Sequence, residues 1–163
     1  MTTTNVELIN MAKFYKVHLH GVYMRDEIVN MRPEVGNYIV NLNTSGQSGS
    51  HWVGIMCTDQ FCFYFDSYGV SCPKEVDYFI RKRYIKYGTN TKEIQAITSK
   101  MCGFFVLGLF IFVKNISING FYETCNSYTN IFELNRQLND LVIRKFFRDI
   151  KPKSPIAIRI LHI

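Results

Sequence analysis

The stretch Met101–Val113 is the most apolar run of the chain, and Gly103–Lys114 would carry apolar side chains on every side of a helix. Such a helix has no face to show water, so the rest of the fold must be built around it. It is too short to span a bilayer, which takes roughly 18 or more apolar residues, and no membrane association is expected. Met1–Asn5 lacks the basic stretch and apolar run of a secretory signal. With 163 residues, 47% hydrophobic and 20% charged, the composition is that of one globular domain, 1–163, large enough to bury this helix.

The remaining elements are read around that centre. Thr4-x-x-Glu7 is a capping box ahead of Val6, Ile9, Met11, Ala12 and Tyr15, which predicts a helix ending near Lys16. His18–Asn37, with Gly21, Pro33 and Gly36, reads as irregular. Tyr38–Leu42 is a strand; His51–Met56 and Phe61–Asp66 form a hairpin around Cys57–Gln60. Ser71 or Cys72 can cap a helix with Pro73 in its first turn, closed at Tyr87–Gly88. A short strand near Glu93–Ile97 precedes the central helix. Ile131, Leu134, Leu138, Leu141 and Val142 mark a last helix running to about Arg148. Beyond the basic linker at Lys151–Pro155, Ile156, Ile158, Ile160 and His162 alternate as in an added strand. The expected class is α+β, with a mainly antiparallel sheet and one buried helix.

Two places in this layout carry chemistry. With Thr58 and Asp59 at the centre of the hairpin, His51 faces Asp66 across the two strands, Cβ atoms about 4.5–5.5 Å apart. A carboxylate there can hold the imidazole by its Nδ1–H and fix its tautomer. Cys102 opens the buried helix, where free N–H groups and the positive end of the helix dipole favour thiolate, the reactive form. Gly103 lets a substrate backbone come close, and the same N–H groups can hold an oxyanion. The Gln95 amide, on the strand leading into that turn, is a second candidate donor. The other cysteines, Cys57, Cys62, Cys72 and Cys125, read as small buried hydrophobes. An odd count of 5 cysteines without C-x-x-C, beside 4 scattered histidines, predicts a reduced, intracellular chain with no structural metal.

The net charge is +6 and uneven. Arg144, Lys145, Arg148, Lys151, Lys153 and Arg159 face one acid, Asp149, and Pro73–Lys92 is also basic. Both stretches could attract nucleic acid; the plainer reading is a solvated helix face and a basic tail.

The order His51-Trp52…Asp66-Ser67-Tyr68-Gly69…Gln95…Cys102-Gly103 resembles the adenovirus maturation protease (adenain) and the wider clan of ubiquitin-like-protein proteases. His20–Ile28 and Tyr64–Tyr68 followed by Pro73–Val76 are similar to segments of adenain-like cysteine proteases of virophages and Polinton/Maverick elements. The resemblance spans about residues 8–114 and matches nothing beyond. It implies a papain-like cysteine protease core of adenain type, with Cys102 as nucleophile, His51 as base and then acid, Asp66 as orienter, Gln95 as oxyanion donor, and Trp52 and Gly103 beside the substrate. Adenain itself carries Glu where Asp66 stands. The implied function is a viral endopeptidase that processes capsid precursors during virion maturation, in the virion and host-cell interior. No cofactor is required by the sequence, although DNA or a short peptide activator could assist. The alternatives are a protease removing ubiquitin or a SUMO-like modifier, and a non-enzymatic DNA-binding capsid protein. A further expectation is that the tail acts as a built-in activator or as an ordinary last strand.

Overall fold

The computed structural model of the chain describes residues 3–48, 50–115 and 120–150. In chain order its elements are α1 (Asn5–Phe14), β1 (Leu19–Met24), α2 (Arg25–Ile28), β2 (Gly36–Asn41), β3 (Trp52–Cys57), β4 (Cys62–Phe65), α3 (Lys74–Arg81), β5 (Gly88–Thr89), α4 (Cys102–Asn115), α5 (Phe121–Ser127) and α6 (Asn139–Asp149). The strands form one sheet in the order β1-β2-β3-β4-β5. It is antiparallel at its centre, where most of the ladder lies, and parallel at both edges.

α4 is the helix around which the rest is packed. It crosses β3 at Gly54, where an added Cβ would lie 2.7 Å from Val106 Cγ1 and 3.1 Å from the Phe110 ring. One core joins α4 to α1, α6 and one face of the sheet, through Leu8, Ile39, Phe63, Phe65, Phe105 and Phe147. A second lies on the opposite face, where Tyr38, Ile55, Tyr64, Val76, Phe79 and Ile80 pack under α3. Both faces of β3 and β4 are therefore buried, which is why these strands are nearly continuous apolar runs. The Thr4 capping box forms as expected: Glu7 N donates to Thr4 Oγ1 at 3.2 Å, and Thr4 N donates to Glu7 Oε2 at 2.7 Å.

Several expectations are corrected. The stretch 18–37 contains β1 and α2. β1 is partly buried along its whole length, and Gly21 interrupts its alternation beside a register irregularity, so no period-two pattern shows. The hairpin is centred between Asp59 and Gln60, with Cys57 facing Cys62 and Gly54 facing Phe65. Thr58 sets that register: its N–H donates to Phe61 O at 2.8 Å, and its hydroxyl accepts from Phe61 N at 2.8 Å. His51 and Asp66 are thus not directly opposite. Pro73 itself caps α3, which ends at Arg81; Gly88 instead enters β5. Residues 93–97 form no strand, because Ile94 N and Gln95 N both donate to one carbonyl, Ser67 O.

The last expected helix is broken into α5, two 3-10 turns and α6. The Asn139 side chain binds Glu133 N and O and starts α6 late. The buried face of α6 is Ile143 and Phe147. Three residues read as part of its apolar stripe are well exposed, Leu134 by 92%, Leu141 by 66% and Leu138 by 45%, whereas Val142 packs partly buried against the core. The proposed strand at 156–163 lies outside the described residues.

Candidate active site

The ends of β3, β4 and α4 converge on one point. His51 precedes β3 and is held there by Leu42 N, which donates to His51 O at 2.9 Å. Asp66 follows β4, 2% exposed. Its main chain is clamped by Asn90: Asp66 N donates to Asn90 Oδ1 at 3.0 Å, and Asn90 Nδ2 donates to Asp66 O at 2.6 Å. The turn after it closes with Tyr68 N donating to Asp66 Oδ1 at 2.8 Å and Gly69 N to Asp66 O at 2.8 Å. Gly69 has φ +66, and a Cβ there would lie 2.6 Å from Thr91 O, so glycine is required.

His51 Nε2 lies 2.8 Å from Asp66 Oδ1. The pairing expected from the sequence is present, but through Nε2 rather than Nδ1 and across a diagonal. That orientation leaves Nδ1 free of Asp66, and Cys102 is near enough to act on the imidazole. The Tyr68 ring covers the imidazole, centroids 4.7 Å apart. Burial pulls the His51 pKa down, but hydrogen bonds and charge from Asp66 and Cys102 outweigh it and push the value up to about 9. The folded site therefore favours the imidazolium form of His51, held by the Asp66 carboxylate. Cys102 is 2% exposed and opens α4. Phe104 N and Phe105 N close that first turn on Met101 O at 2.9 and 3.1 Å.

Three residues singled out in the sequence are placed differently from expectation. Gln95 is 1% exposed. It accepts from Ser67 Oγ and donates through Nε2 to Ser99 O at 3.1 Å and Ser99 Oγ at 3.3 Å. Its amide ties two loops together instead of pointing free at the site. Trp52 is buried, with its indole N–H donating to Thr3 O at 2.9 Å. Gly103 faces the N-terminal segment too: a Cβ would meet Leu8 Cδ2 at 2.8 Å and Thr3 Cβ at 3.4 Å. Both therefore seat the chain's own N-terminus. Past that cover lies a cleft of about 540 Å³, lined by Thr3, Tyr23, Glu27, Asn41, Gln47 and Trp52.

Sequence reasoning missed Ser99 and Asp140. Ser99 Oγ donates to Asp140 Oδ1 at 2.6 Å and accepts from Met101 N at 3.2 Å. The turn in front of the nucleophile is thus fastened to α6, a contact between distant parts of the chain that has no local signature. The basic stretches are partly spent on structure. Lys82 Nζ donates to Val29 O and Met31 O, and Lys92 Nζ to Thr129 O. All five cysteines are free thiols. Among the described residues no cluster could hold a metal ion, and no helix is long and apolar enough to cross a membrane.

No protein-family profile matches the chain, and no curated protein matches it significantly. Among solved structures, the chain is similar to the ASFV pS273R protease at 19% identity, covering 81% of this chain and 67% of that one, with a TM-score of 0.49. It is also similar to AvrA with IP6 and CoA at 15% identity, covering 87% of this chain and 54% of that one, with a TM-score of 0.48. The overlaps are partial, and the functional reading rests on the site.

Proposed function

We propose that the chain is a cysteine peptidase, with Cys102 as nucleophile, His51 as proton carrier and Asp66 as the residue that positions His51. The observation that carries this is one imidazole bonded to a buried carboxylate and acted on by the cysteine that opens α4. Cys102 gives its proton to His51 Nδ1 as its sulfur attacks a peptide carbonyl carbon. The carbonyl oxygen takes the negative charge and is held by the N–H groups at the start of α4. As the tetrahedral intermediate collapses, the C–N bond breaks and His51 gives its proton to the leaving amine. Water then attacks the thioester carbon, losing a proton to His51; the C–S bond breaks, its electron pair returns to the Cys102 sulfur, and the acid product leaves. Gln95 can reach the oxyanion only by releasing Ser99, so the backbone donors carry this role.

We extend the reading, on the resemblance of the His-Trp, Asp-Ser-Tyr-Gly and Cys-Gly stretches, to an endopeptidase that processes viral structural precursors. DNA or a basic peptide as activator belongs to the same extension.

The test is alkylation by iodoacetamide near neutral pH, mapped by mass spectrometry, in wild type and His51→Ala. Fast labelling confined to Cys102 and lost in the variant is the expected result. Equal, slow labelling of all five cysteines in both proteins refutes the assignment, as does Cys102→Ala with undiminished cleavage of a polypeptide.

A further inference from the structure

Two thiols that the peptidase chemistry does not use face each other at the closed end of the β3–β4 hairpin. Cys57 and Cys62 are register partners, and their sulfurs lie 3.7 Å apart. The bond from Thr58 N to Phe61 O follows next along the hairpin. Cys57 and Cys62 are therefore a non-hydrogen-bonded pair, with Cα atoms about 4.5 Å apart. That separation lies inside the range of about 4.4–6.8 Å that a disulfide bridges without moving the backbone. Rotation about the Cα–Cβ bonds is enough to bring the two sulfurs to bonding distance.

Their surroundings divide the roles. Cys62 is fully buried, whereas Cys57 is 4% exposed and borders a turn whose residues Asp59 and Gln60 are exposed. The hydrogen bond from Cys62 holds the Cys57 thiol below its ordinary value against the cost of burial, helped by the Tyr84 hydroxyl and the Arg83 charge. The same hydrogen bond, and then burial, push Cys62 up. One sulfur is favoured as thiolate and its neighbour keeps a proton to give, the arrangement by which a sulfenic acid is resolved to a disulfide. Cys72 also packs against this core, but its sulfur is turned to Pro73 O at 3.7 Å.

We propose that Cys57 and Cys62 form a reversible disulfide when a hydroperoxide reaches the hairpin, stapling the two strands whose other ends carry His51 and Asp66. The Cys57 sulfur attacks one peroxide oxygen and the O–O bond breaks. Hydroxide leaves as water with the Cys57 proton, and Cys57 becomes a sulfenic acid. The Cys62 sulfur attacks the Cys57 sulfur, the S–O bond breaks, and the departing hydroxide takes the Cys62 proton as a second water. The two thiols together lose two electrons and two protons, and the peroxide is reduced; a dithiol reverses the bond. The staple fits one register only. A slip by one residue would set Cys57 opposite Phe61 or Phe63 and turn the two sulfurs to opposite faces of the sheet. The disulfide thus makes covalent a register that otherwise depends on the Thr58 hydroxyl. This inference goes beyond the peptidase reading and does not depend on it.

The test exposes folded wild type, Cys57→Ala and Cys62→Ala to excess hydrogen peroxide near neutral pH. Remaining thiols are then blocked with iodoacetamide under unfolding conditions. A protease that cuts after aromatic residues separates the two cysteines at Phe61, and the peptides are mapped by mass spectrometry. The expected result in wild type is a linked Cys57–Cys62 pair that forms before any other cysteine pair and is lost in dithiothreitol. Oxidation should also raise the wild-type thermal midpoint by about 5 °C, the shift for closing so short a loop in a domain of this size. Neither variant should show that rise, and oxidation at other residues acts on all three proteins alike. A wild type whose Cys57 and Cys62 both stay open to alkylation after peroxide overturns the proposal without any need for a variant to fold. A link from either residue to Cys72 overturns it too, as does a linked protein whose midpoint does not rise. Loss of His51-dependent alkylation at Cys102 bears on the peptidase reading alone.

Discussion

Raising the pH from 6 to 9.5 should remove a stabilising proton that the folded protein holds and the unfolded chain does not. The His51 pKa is pushed from 6.5 to about 9 because, against the cost of burial, Asp66 and Cys102 favour the imidazolium. Below about 6.5 both states carry the proton, and the stabilisation is complete. Between the two values the folded state alone keeps it, so stability falls with rising pH; above about 9 it is gone. A displacement of this size corresponds to about 3 kcal/mol, a large part of the 5–15 kcal/mol typical of a domain. With the side chain only 14% exposed, solvent screening removes little of it. The assay is urea unfolding of reduced wild type, His51→Gln and Asp66→Asn at both pH values. Wild type should lose about 3 kcal/mol more than His51→Gln over the interval, with Asp66→Asn between them. Groups titrating in this window away from the site are common to all three proteins and largely cancel in the difference. NMR titration of the His51 ring should give a midpoint near 9 that drops in Asp66→Asn. Parallel pH slopes in the three proteins, or an unmoved midpoint, would refute the argument.

Asn90→Ala removes the acceptor of Asp66 N and one of the two donors to Asp66 O; a loss of about 1–3 kcal/mol in urea unfolding is expected, with Cys102 alkylation slowed toward the Asp66→Asn rate. Gly108→Ala places a Cβ against Tyr128 Oη and 2.8 Å from Ile143 Cδ1. It should cost about 1–3 kcal/mol, and adding Tyr128→Phe should recover part of that in a double-mutant cycle. Thr4→Ala removes the hydroxyl that accepts from Glu7 N and donates to Glu7 Oε2 and should lower stability by about 1 kcal/mol in thermal unfolding. Because the chain has 1 tryptophan, removing residues 1–4 should uncover Trp52 and shift the protein's fluorescence to longer wavelength; unchanged emission would mean that Thr3 does not cover it.

What could be read from the sequence is what local physics decides. The capping box at Thr4 and Glu7 satisfies its own bonds, and the all-apolar run after Met101 has nowhere to go but the centre. His51 and Cys102 stand at the starts of β3 and α4, and Asp66 at the end of β4, so locating those elements located the site. The hairpin register was not legible, because it depends on one hydroxyl, Thr58 Oγ1, choosing Phe61 N. Asp66 still reaches His51 because both lie beyond the ordered ladder, where side chains can span a diagonal. The misread segments share another cause. Glu93–Ile97 looks like a strand and Ile131–Leu141 like a helix face, yet each is shaped by bonds to the other, and the first also by bonds to Ser67.

The same contacts explain why the leucines of 134–141 are on the surface. A helix beginning at Ile131 would have turned Leu134, Leu138 and Leu141 inward. Asn139 prevents it by spending its amide on Glu133 N, Glu133 O and Ile94 O, which forces α6 to start late and gives its buried face to Ile143 and Phe147. The molecule thus gives up about 1.5–3 kcal/mol of burial for each exposed leucine. In return it gains a fixed platform for Ser99 and Met101, directly ahead of Cys102. An Asn139→Ala variant separates the two roles. It removes the ties while leaving the leucines in place, so Cys102 alkylation should slow even though the apolar surface is unaltered in composition. If alkylation stays at the wild-type rate while unfolding shows only lost stability, Asn139 serves the fold alone and the turn before Cys102 is held by Gln95 and Asp140 without it.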